Sequence, residues 1–167
     1  MNVLVTAASK HGATGEIGEV IASVLRDAGH AITTDAPEDV RSLDGCDAVV
    51  LGSAVYAGRW IDRARAFADR HEAELRVRPV WLFSSGPIGT PLAPVEESAD
   101  GLRLARELGA RAHRTLPGRI DPTTLGWVER TITNMVKAPD GDFRDWEAVR
   151  SWADEIATAL TPSEVAS

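Results

Sequence analysis

The sequence predicts an α/β fold: a parallel sheet of strands with helices covering both faces, in three layers. Two observations carry this. Short continuous apolar runs, Asn2-Val-Leu-Val-Thr-Ala-Ala8, Asp47-Ala-Val-Val-Leu-Gly52 and Pro79-Val-Trp-Leu-Phe-Ser84, have the composition of strands buried on two sides. Between them lie segments whose apolar residues recur at helical spacing, so strands and helices alternate along the chain.

Each element follows in order. The first strand empties into a loop, Ala7 to Thr14, and Ile17, Val20, Ile21, Val24 and Leu25 then mark one apolar face of a helix. Gly29 is placed as the residue just past that helix, and Ala31 to Asp35 reads as a short edge strand. The strand at Asp47 to Gly52 precedes a helix from about Ile61 to Leu75, and the strand at Pro79 to Ser84 precedes a helix over Leu102 to Leu108. Ala112 to Ile120 contains a fifth strand. In the last helix Trp146, Val149, Trp152, Ala153, Ile156 and Leu160 form one face, with Asp145 as its N-cap. Residues 1–160 read as a single domain and 161–167 as a flexible tail.

Composition narrows the functional classes. A net charge of −7 is the wrong sign for a nucleic-acid binder. No apolar run approaches the roughly 20 residues of a membrane span, and Met1-Asn2-Val3 opens directly into a strand, so a cytoplasmic protein is expected. The single cysteine, Cys46, rules out an internal disulfide or a multi-thiolate metal site and reads as a small core or loop residue. His30, His71 and His113 are scattered and read as surface or strand-end residues; Glu96, Glu97 and Asp100 read as a solvated helix start. No metal site and no catalytic Ser/His/Asp or Cys/His set can be assembled.

The loop after the first strand carries the chemistry. It lies at a helix N-terminus, where unpaired backbone N–H groups and the helix dipole favour an anion, and Ser9, Thr14 and Lys10 add donors. This is a phosphate cradle. Its glycines, Gly12, Gly15 and Gly18, fit neither the dinucleotide pattern nor the Walker pattern. A phospho-relay receiver needs strand-end carboxylates for Mg²⁺, yet Thr6-Ala7-Ala8 and Gly52-Ser53 stand at those places.

Ser9-Lys-His-Gly-Ala-Thr14 resembles the first loop of the flavodoxin family, with His11 where flavodoxins often have Thr. The resemblance implies a flavodoxin-like sheet in the order 2-1-3-4-5, with ligand beyond the carboxyl ends of strands 1, 3 and 4. It also implies non-covalent FMN as cofactor, with the phosphate on Ser9, Lys10, His11, Gly12, Ala13 and Thr14. The loop Ser53 to Trp60 resembles the one that runs beside the isoalloxazine ring, which places Ala54, Val55, Tyr56, Ala57 and Gly58 at the cofactor. Tyr56 and Trp60 are both candidates to stack on the ring, and a Trp that starts a helix is more commonly half-buried packing. The third loop, Ser84 to Pro94, has several backbone N–H groups that can serve as donors to the ring edge, which places Ser84, Ser85, Gly86, Pro87, Ile88 and Gly89 at the cofactor.

Gly118-Arg-Ile-Asp-Pro-Thr-Thr-Leu125, the segment through Trp127, Val128, Ile132, Met135 and Val136, and Asp145-Trp146 resemble the menaquinone-dependent protoporphyrinogen IX dehydrogenases, although the region is shorter here. That similarity implies a porphyrinogen or other organic substrate and a quinone, with the flavin carrying the chemistry. The loop rim from Ser53 to Ile61 carries one charge, Arg59, whose guanidinium suits a substrate carboxylate. Two other roles stay open: an electron carrier meeting a redox partner protein, and a receiver-like signalling module. The apolar face from Leu125 to Val136 is expected to pack in the core or against a second copy in a homodimer, ahead of peripheral membrane contact.

Overall fold

The computed structural model describes residues 1–86, 97–120 and 141–161. Its elements are β1 (Asn2–Ala8), α1 (Ala13–Asp27), β2 (Ala31–Thr34), β3 (Ala48–Tyr56), β4 (Arg59–Trp60), α2 (Asp62–Arg70), α3 (Glu72–Leu75), β5 (Val80–Gly86), α4 (Ala99–Leu108), β6 (Ala112–Pro117), β7 (Arg119–Ile120), β8 (Gly141–Asp142) and α5 (Trp146–Leu160). The parallel strands run β2-β1-β3-β5-β6, which is the expected order 2-1-3-4-5. The short β4 adds an antiparallel partner to β3, and β7 pairs with β8 in a separate two-stranded sheet.

Side chains alternate across the sheet and build two apolar layers. Val3, Val5, Val50 and Phe83 face Ile17, Ile21 and Leu25 of α1 and Trp152, Ile156 and Leu160 of α5. Leu4, Val49, Leu51 and Leu82 face the other way, onto Phe67, Leu75 and Leu104. The sandwich is therefore three layers deep. Gly52 makes one close approach possible: a Cβ there would lie 2.0 Å from Phe83 Cζ, so only a bare Cα lets that ring cross β3.

Helix ends follow the sequence signals in some places. Asp145 caps α5, its carboxylate accepting from Ala148 N–H at 2.9 Å, and Gly29 follows α1 in the left-handed conformation, φ 89°. The expected helix from Ile61 to Leu75 is instead two, interrupted at His71. The His71 ring turns inward onto Phe67, 5.0 Å between centroids, and its Nδ1 lies 2.7 Å from Glu74 Oε2. His71 is thus buried and not a surface residue. The fourth helix starts at Ala99, ahead of the expected Leu102, because Ser98 caps it. The region from Leu125 to Val136 and the tail from Pro162 lie outside the described residues.

Candidate ligand site at the strand ends

The first loop sits where β1 ends and α1 begins, beside the point at which the strand order reverses. Gly12 is the N-cap of α1 with φ 85°, a left-handed conformation that suits glycine, and no side chain caps this helix. The first intrahelical bond is Glu16 N–H to Gly12 C=O, so the amides ahead of Glu16 lack helical acceptors. Two distant arginines fasten the loop by its carbonyls. Arg63 of α2 donates to Ser9 C=O at 2.8 Å, and Arg144, just ahead of α5, donates to Ala13 C=O at 3.5 Å. Two of the loop's carbonyls thus have arginine donors. Thr14 is buried in the first turn of α1.

The second loop is a tight hairpin. β3 continues to Tyr56 and returns through Ala57 and Gly58, with φ 49° and 75°, into β4; positive φ at both central residues is the type I′ hairpin turn. This hairpin sorts the two candidate aromatics. Tyr56 is 39% exposed at the tip, and Lys10 Nζ of the first loop stands 5.4 Å over its ring centroid. Burial of its ring pushes the Tyr56 phenol up from its ordinary value. Trp60 lies on the inner side, 2% exposed, and its Nε1–H donates to Ser84 Oγ at 2.7 Å. It is a packing residue with no face left for a ring.

Ser84 is equally committed. Its hydroxyl accepts from Trp60 and lies 2.8 Å from His113 Nε2, and the residue is wholly buried. The Ser84 side chain is therefore taken up by partners within the fold. Ser85 and Gly86 follow at the strand end, and Gly86 C=O accepts from Gly118 N–H at 2.9 Å. Pro87, Ile88 and Gly89 lie outside the described residues.

Asp100 overturns the expectation of a solvated helix start. It is 6% exposed, and its Oδ2 accepts Trp60 N–H at 3.0 Å while Arg59 Nε stands 3.5 Å away. The carboxylate ties α4 to the hairpin and steadies Arg59, whose side chain is 65% exposed. Burial holds His113 below the ordinary imidazole range, the Glu97 charge opposing, so Ser84 bonds a neutral ring. No group of three or more His, Cys, Asp or Glu suited to a metal occurs among the described residues, and no helix there is long and apolar enough to cross a membrane.

A doubly wound parallel sheet with an uncapped helix N-terminus and an aromatic hairpin tip at its switch point defines a flavodoxin-like α/β protein. The chain belongs to the flavodoxin domain family, whose model matches residues 4–147. FMN is the cofactor that this membership implies, and the glycine-capped loop at the N-terminus of α1, with no side chain capping the helix, suits a phosphate. Among solved structures, the chain is similar to oxidised flavodoxin 1 from Bacillus cereus, at 18% identity and a TM-score of 0.67, covering 96% of this chain and 100% of that one. A flavodoxin from the domain Archaea matches at 16% identity and a TM-score of 0.66, covering 95% and 98%. The rubredoxin oxygen:oxidoreductase of Desulfovibrio gigas matches at 14% identity and a TM-score of 0.67 over 95% of this chain, which spans 36% of that longer protein. At these identities the likeness is one of fold. No curated protein sequence matches the chain.

Proposed function

We propose that the chain is an FMN-dependent oxidoreductase of the protoporphyrinogen IX dehydrogenase type, passing two electrons and two protons from an organic substrate to a quinone. FMN, when bound, supplies the two-electron redox chemistry. The chain's own residues bind and orient. Ser9, Lys10, His11, Gly12, Ala13 and Thr14 hold the phosphate; Ala54, Val55, Tyr56, Ala57 and Gly58 flank the ring, with Tyr56 as the stacking residue. Ser84, Ser85 and Gly86, followed by Pro87, Ile88 and Gly89, offer backbone groups to its edge.

The observation that carries the substrate side is Arg59. Its guanidinium projects from the hairpin next to Tyr56, steadied by Asp100 at 3.5 Å, and Lys10 stands on the same aromatic tip. The only charge between Ser53 and Ile61 is this arginine. A cationic, partly apolar rim suits a substrate carrying carboxylates, which a guanidinium binds through paired hydrogen bonds.

The second reading, a flavodoxin carrying electrons between redox proteins, is favoured by the family itself and by the full-length coverage of the archaeal and Bacillus flavodoxins. An anaerobic experiment separates the two. The FMN-loaded chain is mixed with protoporphyrinogen IX, flavin bleaching is followed, and a menaquinone analogue is added. Bleaching reversed by the quinone is expected. No reduction by the porphyrinogen, together with fast reduction by a ferredoxin or flavodoxin reductase, makes the chain an electron carrier.

A further inference from the structure

Glu16 is an awkward neighbour for a phosphate. It stands in the first turn of α1, and a Cβ on Gly12 would lie 4.0 Å from its Oε1, so a carboxylate flanks the loop that receives the anion. Alone, it would repel a dianionic ligand and compete for the helix N-terminus. Two arginines meet it. Arg144 Nη1 donates to Glu16 Oε2 at 2.5 Å, and Arg119 Nη1 stands 3.8 Å from Oε1. Arg144 is itself fixed: its Nε and Nη2 donate to Asp142 at 2.8 and 2.6 Å, its guanidinium lies 4.4 Å from the Trp146 ring centroid, and its side chain is 4% exposed. The cluster holds two carboxylates and two guanidiniums and is neutral as a whole.

We propose that Arg144, assisted by Arg119, cancels the charge of Glu16 and thereby sets how strongly the first loop holds a phosphate monoester. This rests on the FMN reading and names Arg144 as a positioning residue for the phosphate end of the ligand. Loss of Arg144 leaves the cluster with an excess negative charge beside the cradle. Loss of Glu16 leaves an excess positive charge.

The test compares FMN with riboflavin, which lacks the phosphate, by fluorescence titration of the full chain freed of cofactor. Arg144→Gln is expected to weaken FMN roughly three- to tenfold, with the loss shrinking as salt is raised, while riboflavin is unaffected. Glu16→Gln tightens FMN relative to riboflavin, and the double variant returns towards wild type. A purely structural role predicts something else: both ligands weakened alike, and no restoration by Glu16→Gln. Either of those results overturns the inference, as does an unchanged FMN-to-riboflavin ratio in Glu16→Gln alone. That last variant alters only an exposed side chain and so keeps the test decisive if Arg144→Gln fails to fold. A wild-type chain that binds FMN no better than riboflavin would refute the phosphate site itself, an outcome distinguishable from the rest because it appears before any substitution.

Discussion

Replacing Gly52 with alanine tests the packing of the sheet at its centre. The new methyl would lie 2.0 Å from Phe83 Cζ and 2.3 and 2.5 Å from the two Cε atoms, far inside ordinary carbon contact. The ring must retreat by about 1.5 Å to restore a normal separation. It has little room, because its other side meets Trp152 edge-on, 6.2 Å between centroids, inside a closed core. Overpacking of this kind costs about 1–3 kcal/mol, and the clash with a rigid ring points to the upper end. The backbone gain from replacing a strand glycine offsets roughly 0.5–1 kcal/mol. A net loss of about 2 kcal/mol follows, which lowers Tm by roughly 4–8 °C in a chain of this size. Urea titrations of wild type, Gly52→Ala, Phe83→Leu and the double variant measure it. Leucine vacates the space the methyl needs, so the double variant should be more stable than the sum of the single losses by at least about 1 kcal/mol. A loss under about 0.5 kcal/mol for Gly52→Ala, or strict additivity, would refute this account of the core.

Two further outcomes follow from the helix cap and from His113. Asp145→Ala removes the acceptor for Ala148 N–H and should cost about 1 kcal/mol, with Asp145→Asn costing less; equal losses would show that the cap is not the cause. His113 is held below 6.5, so the unfolded chain takes up its proton first as pH falls. Stability from this group is therefore complete above about pH 6.5 and declines as pH drops from there to the folded value. Glu38 and Asp142, whose pKa values are lowered, add their own losses only on further acidification, below about 4.5 and 3.8. Denaturation midpoints between pH 7.5 and 5 should show the decline in wild type and a flatter profile in His113→Gln; parallel profiles would count against it.

Features written in contiguous residues were legible in the sequence. The strand, loop and helix from Asn2 to Asp27 could be read because apolar period, glycine and hydroxyl residues fall side by side, and Asp145 could be read as a cap because it precedes its own helix. The β3–β4 hairpin was hidden because Ala57 is no turn signal, yet it adopts φ 49° where Asn or Gly is usual. Contacts between remote residues were hidden for a different reason: each partner has an ordinary local reading. Asp100 looks like a solvated helix start until Trp60 N–H, 40 residues away, is seen to need its carboxylate. Ser84 and His113 are 29 residues apart and meet only because β5 pairs with β6. Arg63 and Arg144 reach the first loop across 54 and 131 residues, and in a chain rich in arginine nothing singled them out.

The central claim is that the loop from Ser9 to Thr14 holds the phosphate of FMN, and titrating the cofactor-free chain with FMN while following flavin fluorescence tests it most directly. Saturable, stoichiometric binding with a yellow protein as product is expected, with a sharp loss of affinity in Thr14→Asp, which sets a like charge against the phosphate. A chain that takes up no FMN, or one that binds another nucleotide in its place, would contradict it.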